Sequence, residues 1–323
     1  MKIGARINLP IGKATRNAFG EALRQLGHEY PNIVVVDGDV SNSTRTGYFA
    51  QDFPERFFNV GIAESDMVGV AAGLAATGKI AFVSSFACFI MCNAFDQLRM
   101  SVAFPRQNVK VVGSHAGISI GEDGPSQMGI EDIALALALP GFTVFCPADE
   151  HAARALTRRM VETEGPAYMR TGRPDFPIVY GPDSEFVVGR ANRLREGDDL
   201  TIMGSGLMVA ASLEAAYLLS QEGIEARVLD MHTIRPLDED AITSAARETG
   251  CIVTAEEHLL AGGMGQQVAA VVARTHPVPM GFVGLDNTYA TSGSSDDLLE
   301  RYGLTADAIV QKAKEALALK QRR

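Results

Sequence analysis

"GIAESDMVGVAAGLAATGKIAFVSSF", residues 61–86, decides the reading of the fold. From Glu64 to Ala76 the residues are small and apolar over a length that suits a helix. Thr77 and Gly78 then stop it, and "KIAFVSSF" follows with the length and composition of a buried strand. The same alternation runs outward in both directions. "NIVVVDGD" (32–39), "NVKVVGSHAG" (108–117) and "FTVFCPAD" (142–149) read as strands that end in loops. "KATRNAFGEALRQLG" (13–27) and "IEDIALALAL" (130–139), the latter closed by Pro140 and Gly141, read as helices. Short buried strands alternating with helices predict an α/β fold layered around a mainly parallel sheet.

The text changes at Gly172, where "GRPDFPIVYGPDSEF" is rich in Gly, Pro and Asp. We place a domain boundary there, giving a parallel-sheet domain over 1–185 and a smaller α/β domain with a mixed sheet over 186–323. Strands of the second block are expected at "DLTIMGSG" (199–206), "EARVLDMHT" (225–233) and "CIVTAEEH" (251–258).

With 323 residues, 46% hydrophobic and 21% charged, the chain has the composition of a globular protein with room for two cores. No apolar run is long enough for a membrane span, and the N-terminal stretch lacks the apolar core of a secretory signal, so a cytoplasmic protein is expected. A net charge of -10 argues against nucleic acid as a partner. The four cysteines show no disulfide spacing, and Cys88 and Cys92 lack the further ligands a metal would need.

Chemistry is sought first at Glu64. A carboxylic acid withdrawn from water can keep or share a proton at neutral pH and so act as an acid; the plain alternative is a surface glutamate favoured by the helix dipole. The neighbourhood favours the first. Phe82, Phe86 and Phe89 bring aromatic faces to a strand end, and Phe86 and Phe89 are placed to stack on a flat heterocycle. His115, Glu122 and Asp123 lie in a Gly-rich loop after the next strand, where α/β folds carry ligand-binding side chains. "GSGLMVA" (204–210) lacks the third glycine of a dinucleotide loop. "AGGMGQQ" (261–267) reads as a sharp strand-to-helix turn, His258 as part of an exposed loop at the domain edge, His232 as structural, and His151 as first-turn residue of a helix begun by Asp149.

In order along the chain, "KATR" (13–16), "DGDVSNST" (37–44), "NVGIAE" (59–64), "SSFACF" (84–89), "GSHAG" (113–117), "GEDGPS" (121–126), "MRTGRP" (169–174), "MHTIRPLD" (231–238) and "EEHLLAGGMG" (256–265) resemble the pyrimidine-binding and C-terminal domains of transketolase and its thiamine diphosphate relatives. The resemblance covers nearly the whole chain. It implies that Glu64 hydrogen-bonds the aminopyrimidine ring of thiamine diphosphate and favours the tautomer that activates the thiazolium. It implies further that Phe86 and Phe89 pack on the pyrimidine, that His115 and Asp123 bond substrate hydroxyls, and that Arg16 and Arg170 hold a sugar phosphate. Asp39 falls in the family's substrate channel.

Two departures qualify this. Full-length transketolases carry a histidine in a "GPTHQ"-like stretch, whereas this chain reads "GPSQM" and places Gln127 there, a neutral amide that carries no proton. The metal-binding "GDG" with a later Asn is missing. The resemblance is therefore to the C-terminal subunit of a split transketolase, which moves a two-carbon ketol unit between phosphorylated sugars. It implies an N-terminal, diphosphate-binding partner subunit that holds Mg2+ or Ca2+, in an α2β2 assembly, with a homodimer as the form of the isolated chain. The competing readings are the β subunit of a 2-oxoacid dehydrogenase, a deoxyxylulose phosphate synthase-like enzyme, and a non-catalytic scaffold.

Overall fold

The structure is a computed structural model that describes residues 2–322. Strands are β1 (Ile11–Ala14), β2 (Ile33–Asp37), β3 (Phe57–Asn59), β4 (Ile80–Phe86), β5 (Val109–Ser114), β6 (Thr143–Phe145), β7 (Ala167–Arg170), β8 (Asp175–Pro177), β9 (Asn192–Arg195), β10 (Leu200–Gly204), β11 (Ala226–Asp230), β12 (Thr233–Arg235), β13 (Ile252–Leu259) and β14 (Met280–Leu285). A seven-stranded sheet runs in the order β12-β6-β7-β5-β4-β2-β3, and a five-stranded sheet in the order β14-β13-β10-β11-β9. The large sheet is parallel except at β12, and the small one is mixed because β9 runs antiparallel to β11. β1 and β8 form a separate antiparallel pair.

The continuous apolar runs are explained by burial on both faces of the large sheet. Along β2 and β4 the residues alternate: Ile33, Val35, Ile80 and Phe82 face one core, while Val34, Val36, Ala81 and Val83 face another. Helices Thr15–Glu29 and Glu150–Glu162 cover the first face with Phe19, Leu23, Leu26, Leu156 and Met160. Helix Glu64–Ala76 covers the second with Met67, Val68, Ala71 and Ala75. Side chains of this size each contribute roughly 1.5–3 kcal/mol when buried.

The sheets do not divide at a single point in the chain. "EARVLDMHT" was expected as one strand of the second domain, but β11 ends at Asp230, and Thr233–Arg235 crosses over to pair antiparallel with β6 of the large sheet. The core follows the same path, since Met231, Ile234 and Met264 share one buried cluster with Val34 and Val83. Helix Asp132–Leu137 is shorter than its apolar pattern suggested.

One buried amine fixes a helix end. Lys110, on the central strand β5, is fully buried, which pushes its pKa down to about 7, and its Nζ donates to the carbonyls of Thr163 and Gly165, 2.6 Å each, just past helix Glu150–Glu162. Lys110→Met would keep most of the volume but leave those two acceptors unpaired. We expect a loss on the order of 3 kcal/mol, read as a lower urea midpoint with an unchanged slope.

Candidate active site

Parallel strands bring their carboxyl ends to one edge of the sheet, and loops at that edge form the site. Register sets the row: Asp37 lies opposite Ser84 and Asn59, Ser85 opposite Gly113, Phe86 opposite Ser114, and Gly113 opposite Arg170.

Glu64 is the first residue of its helix and is buried, with 7% of its surface exposed. No side chain caps that helix N-terminus, so its first backbone N–H groups and positive dipole end favour a carboxylate there. The Ser85 hydroxyl donates to Glu64 Oε1 at 3.0 Å. Phe86, the next residue of β4, stacks parallel to Phe89 with ring centres 5.5 Å apart and an angle of 9°. Its ring also lies against His115, at 3.8 Å and 10°.

His115 holds left-handed backbone, φ 56°, and is almost fully buried. One Arg16 terminal nitrogen stands 3.1 Å from its Nε2 and donates also to the Ser43 carbonyl, at 3.0 Å. Burial, then the charges of Arg16, Arg173 and Arg45, hold the imidazole down at about 3, so it is neutral at physiological pH. Arg16 is itself lowered to about 10, by burial first and then by Arg45 and Arg173. Its Nε is buried with no partner, a donor left for a ligand. The charges of Arg173 and Arg45 thus act on both His115 and Arg16. Asp123 is partly exposed and pairs with Arg173 at 3.1 Å.

The remaining predicted residues lie around this centre. Asp39, also left-handed at φ 64°, is exposed and accepts from Asn59 Nδ2 at 2.8 Å. Behind it Asp37 is buried and shapes the loop, accepting from Val40 N, Thr44 Oγ1 and Thr46 Oγ1. Gln127 is partly buried and its Oε1 accepts from the Ser126 hydroxyl.

Arg170 is not where it was expected. It is buried between the two sheets, paired with Asp132 at 3.1 Å and donating to the carbonyls of Glu257 and Gly129, each at 2.9 Å. The structure therefore corrects its placement beside Arg16. Arg173, three residues on and outside the strand, stands there instead. His258 is likewise corrected: it is fully buried, its Nδ1 donating to the Leu259 carbonyl and its Nε2 accepting from Ala134 N. Sequence reading also missed Ser85, Ser114, Arg45 and Glu257. Glu257 of β13 accepts from Ser119 N at 2.6 Å and so ties the loop after His115 to the second sheet. The glycines of "AGGMGQQ" admit Glu256, which accepts from Met264 N and Gly265 N at the next helix start. His151 lies in the first turn of helix Glu150–Glu162, whose N-cap is Asp149, as expected.

Comparison with known proteins shows the family. Residues 12–178 match the transketolase pyrimidine-binding domain and residues 189–309 the transketolase C-terminal domain. The chain belongs to the transketolase family. A "Putative transketolase C-terminal section" of Methanocaldococcus jannaschii is 42% identical over 95% of this chain and 97% of its own. A 6-deoxy-6-sulfo-D-fructose transketolase subunit of a Clostridium species is 39% identical over 93% of each. The solved structure described as "Split gene transketolase, inactive beta4 tetramer" superposes with a TM-score of 0.90 at 48% identity, covering 96% of this chain and all of that one. The match to human transketolase spans only 49% of that protein, so this transketolase-family chain has about half the length of the single-chain relatives. No helix among the described residues is long and apolar enough to cross a membrane.

Two outcomes follow from the site. Gly117 holds φ +84°, and a Cβ there would stand 2.2 Å from the Glu257 carboxylate. Gly117→Ala should therefore displace the loop that carries His115, with a lower melting temperature and a loss of activity larger than the stability change explains. His115, lowered from 6.5 to about 3, should show ring resonances that do not titrate between pH 5 and 8. The sign of its linkage follows. The unfolded chain takes up a proton that the folded one refuses, so His115 supports the fold fully above pH 6.5, and that support erodes as pH falls from 6.5 toward 3.

Proposed function

We propose that this chain is the pyrimidine-binding subunit of a split transketolase that moves a two-carbon ketol unit between phosphorylated sugars. The observation that carries the reading is the buried Glu64 carboxylate at an uncapped helix start, braced by Ser85, the residue just before the Phe86 ring that stacks on Phe89. These groups fit the pyrimidine half of thiamine diphosphate: an acid for a ring nitrogen and apolar faces for a flat heterocycle. When bound, that cofactor supplies the carbon nucleophile that breaks and forms the C–C bond.

The chain's own residues do the rest. Glu64 holds or shares a proton at the ring nitrogen. Phe86 and Phe89 keep water off that contact. Arg16, Arg45 and Arg173 present a concentrated positive charge suited to a phosphate, Asp123 orients Arg173 and faces hydroxyl groups, and His115 and Gln127 complete the wall. Asp39, exposed on the channel side, meets the acceptor sugar. The metal and the diphosphate would be held by an N-terminal partner in an α2β2 assembly, in the cytoplasm.

The test is reconstitution with a diphosphate-binding partner and an assay with xylulose 5-phosphate and ribose 5-phosphate. Ketol transfer is expected, and Glu64→Gln should lower kcat by about 10²- to 10⁴-fold while the complex still assembles. Decarboxylation of pyruvate without ketol transfer would assign the chain to the 2-oxoacid branch instead. Unchanged turnover in the Glu64 variant would leave it a scaffold.

A further inference from the structure

We infer that Ser114 is a positioning residue that fixes His115 as the Nδ1–H tautomer and so makes its Nε2 the acceptor that aims Arg16 into the cleft. The proposal rests on the reading of this cleft as the substrate site, and names how that site is kept in order.

The hydrogen bonds allow one assignment. A guanidinium has five donors and no acceptor, so the 3.1 Å contact of Arg16 with His115 requires a lone pair on Nε2. A neutral ring with that lone pair carries its proton on Nδ1, which lies 2.8 Å from Ser114 Oγ. Ser114 must then accept. Its own proton turns to the Ser85 carbonyl at 3.4 Å, a long bond whose geometry is set by the pairing of Phe86 with Ser114 across β4 and β5. Ser85 in turn donates its hydroxyl to Glu64. One directional series of donors thus runs from Arg16 through His115 and Ser114 to Ser85, and the same residue holds the carboxylate.

The arrangement is built rather than incidental. Ser114 and Ser85 are 1% exposed and His115 2%, so water does not compete for these bonds. His115 accepts a left-handed backbone to reach them, a conformation that costs a non-glycine residue on the order of 1 kcal/mol or more. Its ring face is held by Phe86, which leaves the edge nitrogens as the only polar handles. Without the serine hydroxyl, the Nδ1 proton would lose its acceptor in a buried place, the preference for the Nδ1–H tautomer would rest on Arg16 alone and weaken, and Arg16 would be held less firmly.

Ser114→Ala, in the reconstituted complex with histidine labelled by 15N, tests this. In the unsubstituted protein at neutral pH, His115 should show a protonated Nδ1 and an unprotonated Nε2. In the variant both shifts should move toward the average of the two tautomers, and KM for the phosphorylated sugar should rise about 3- to 10-fold with kcat nearly unchanged. An Nε2–H tautomer or an imidazolium in the unsubstituted protein overturns the proposal, and so do unchanged shifts in the variant. The spectrum of the unsubstituted protein decides even if the variant does not fold. It also needs no turnover, so a complex that shows the Nδ1–H tautomer yet transfers no ketol unit would sink the proposed function and leave the tautomer lock standing.

Discussion

Burial of the Glu64 carboxylate is the interaction on which the rest of the site depends. Removing such a group from water is expensive unless donors replace the lost hydration. Here the Ser85 hydroxyl from β4 donates to it, and the positive dipole end of the uncapped helix start after β3, on which it sits, favours its charge. Because β2 lies between β3 and β4, the chain must cross the sheet to assemble the pair, and the crossing opens the cleft at the strand ends.

The second domain contributes to the same cleft through buried charge. Arg170 and Asp132 form an ion pair between the sheets, Tyr168 donates to Asp132 at 2.6 Å, and Arg170 also binds two carbonyls, one from each side of the junction. On balance Arg170 is held more basic than usual: burial works against its charge, and Asp132 chief among the surrounding groups outweighs it. A buried pair of this kind adds little net stability compared with apolar packing, but it tolerates only one geometry. That geometry sets Glu257 against the loop after His115. The C-terminal domain is thereby a mould for the loop after His115 as well as a packing partner.

How much of this was legible depended on the range over which each residue acts. The helix from Glu64 to Ala76 could be read to its last residue, because Thr77 and Gly78 stop it locally. The strands were readable because two-sided burial leaves continuous apolar runs. Thr233–Arg235 was not, since three residues carry no periodicity and its pairing with β6 is decided by a strand far earlier in the chain. In "MRTGRP" both arginines were visible, yet only the end of β7 decides that Arg170 turns inward and Arg173 outward. Ser85 and Ser114 were quoted without a role because their partnership exists only across strands 29 residues apart. "EEH" looked like a solvated edge, as three adjacent polar residues usually do; each of the three found its partner on a different element.

The acidic loop "DGDVSNST" shows why a chain of net charge -10 can still offer an anion site. Its carboxylates are spent internally, Asp37 on a backbone N–H and two threonine hydroxyls and Asp39 on Asn59. These bonds hold the left-handed turns at Asp39 and Arg45 that carry Arg45 round toward Arg16. Arg173 has a carboxylate partner in Asp123, but that pair is partly exposed and screened, and among the described residues Arg16 has no ion pair with a carboxylate. Local positive potential therefore survives within an acidic surface, which concentrates an anionic ligand at the cleft and repels it elsewhere. The same logic explains the neutral His115: a second proton would be opposed by the charges of Arg16, Arg173 and Arg45, whereas a lone pair on Nε2 accepts from Arg16.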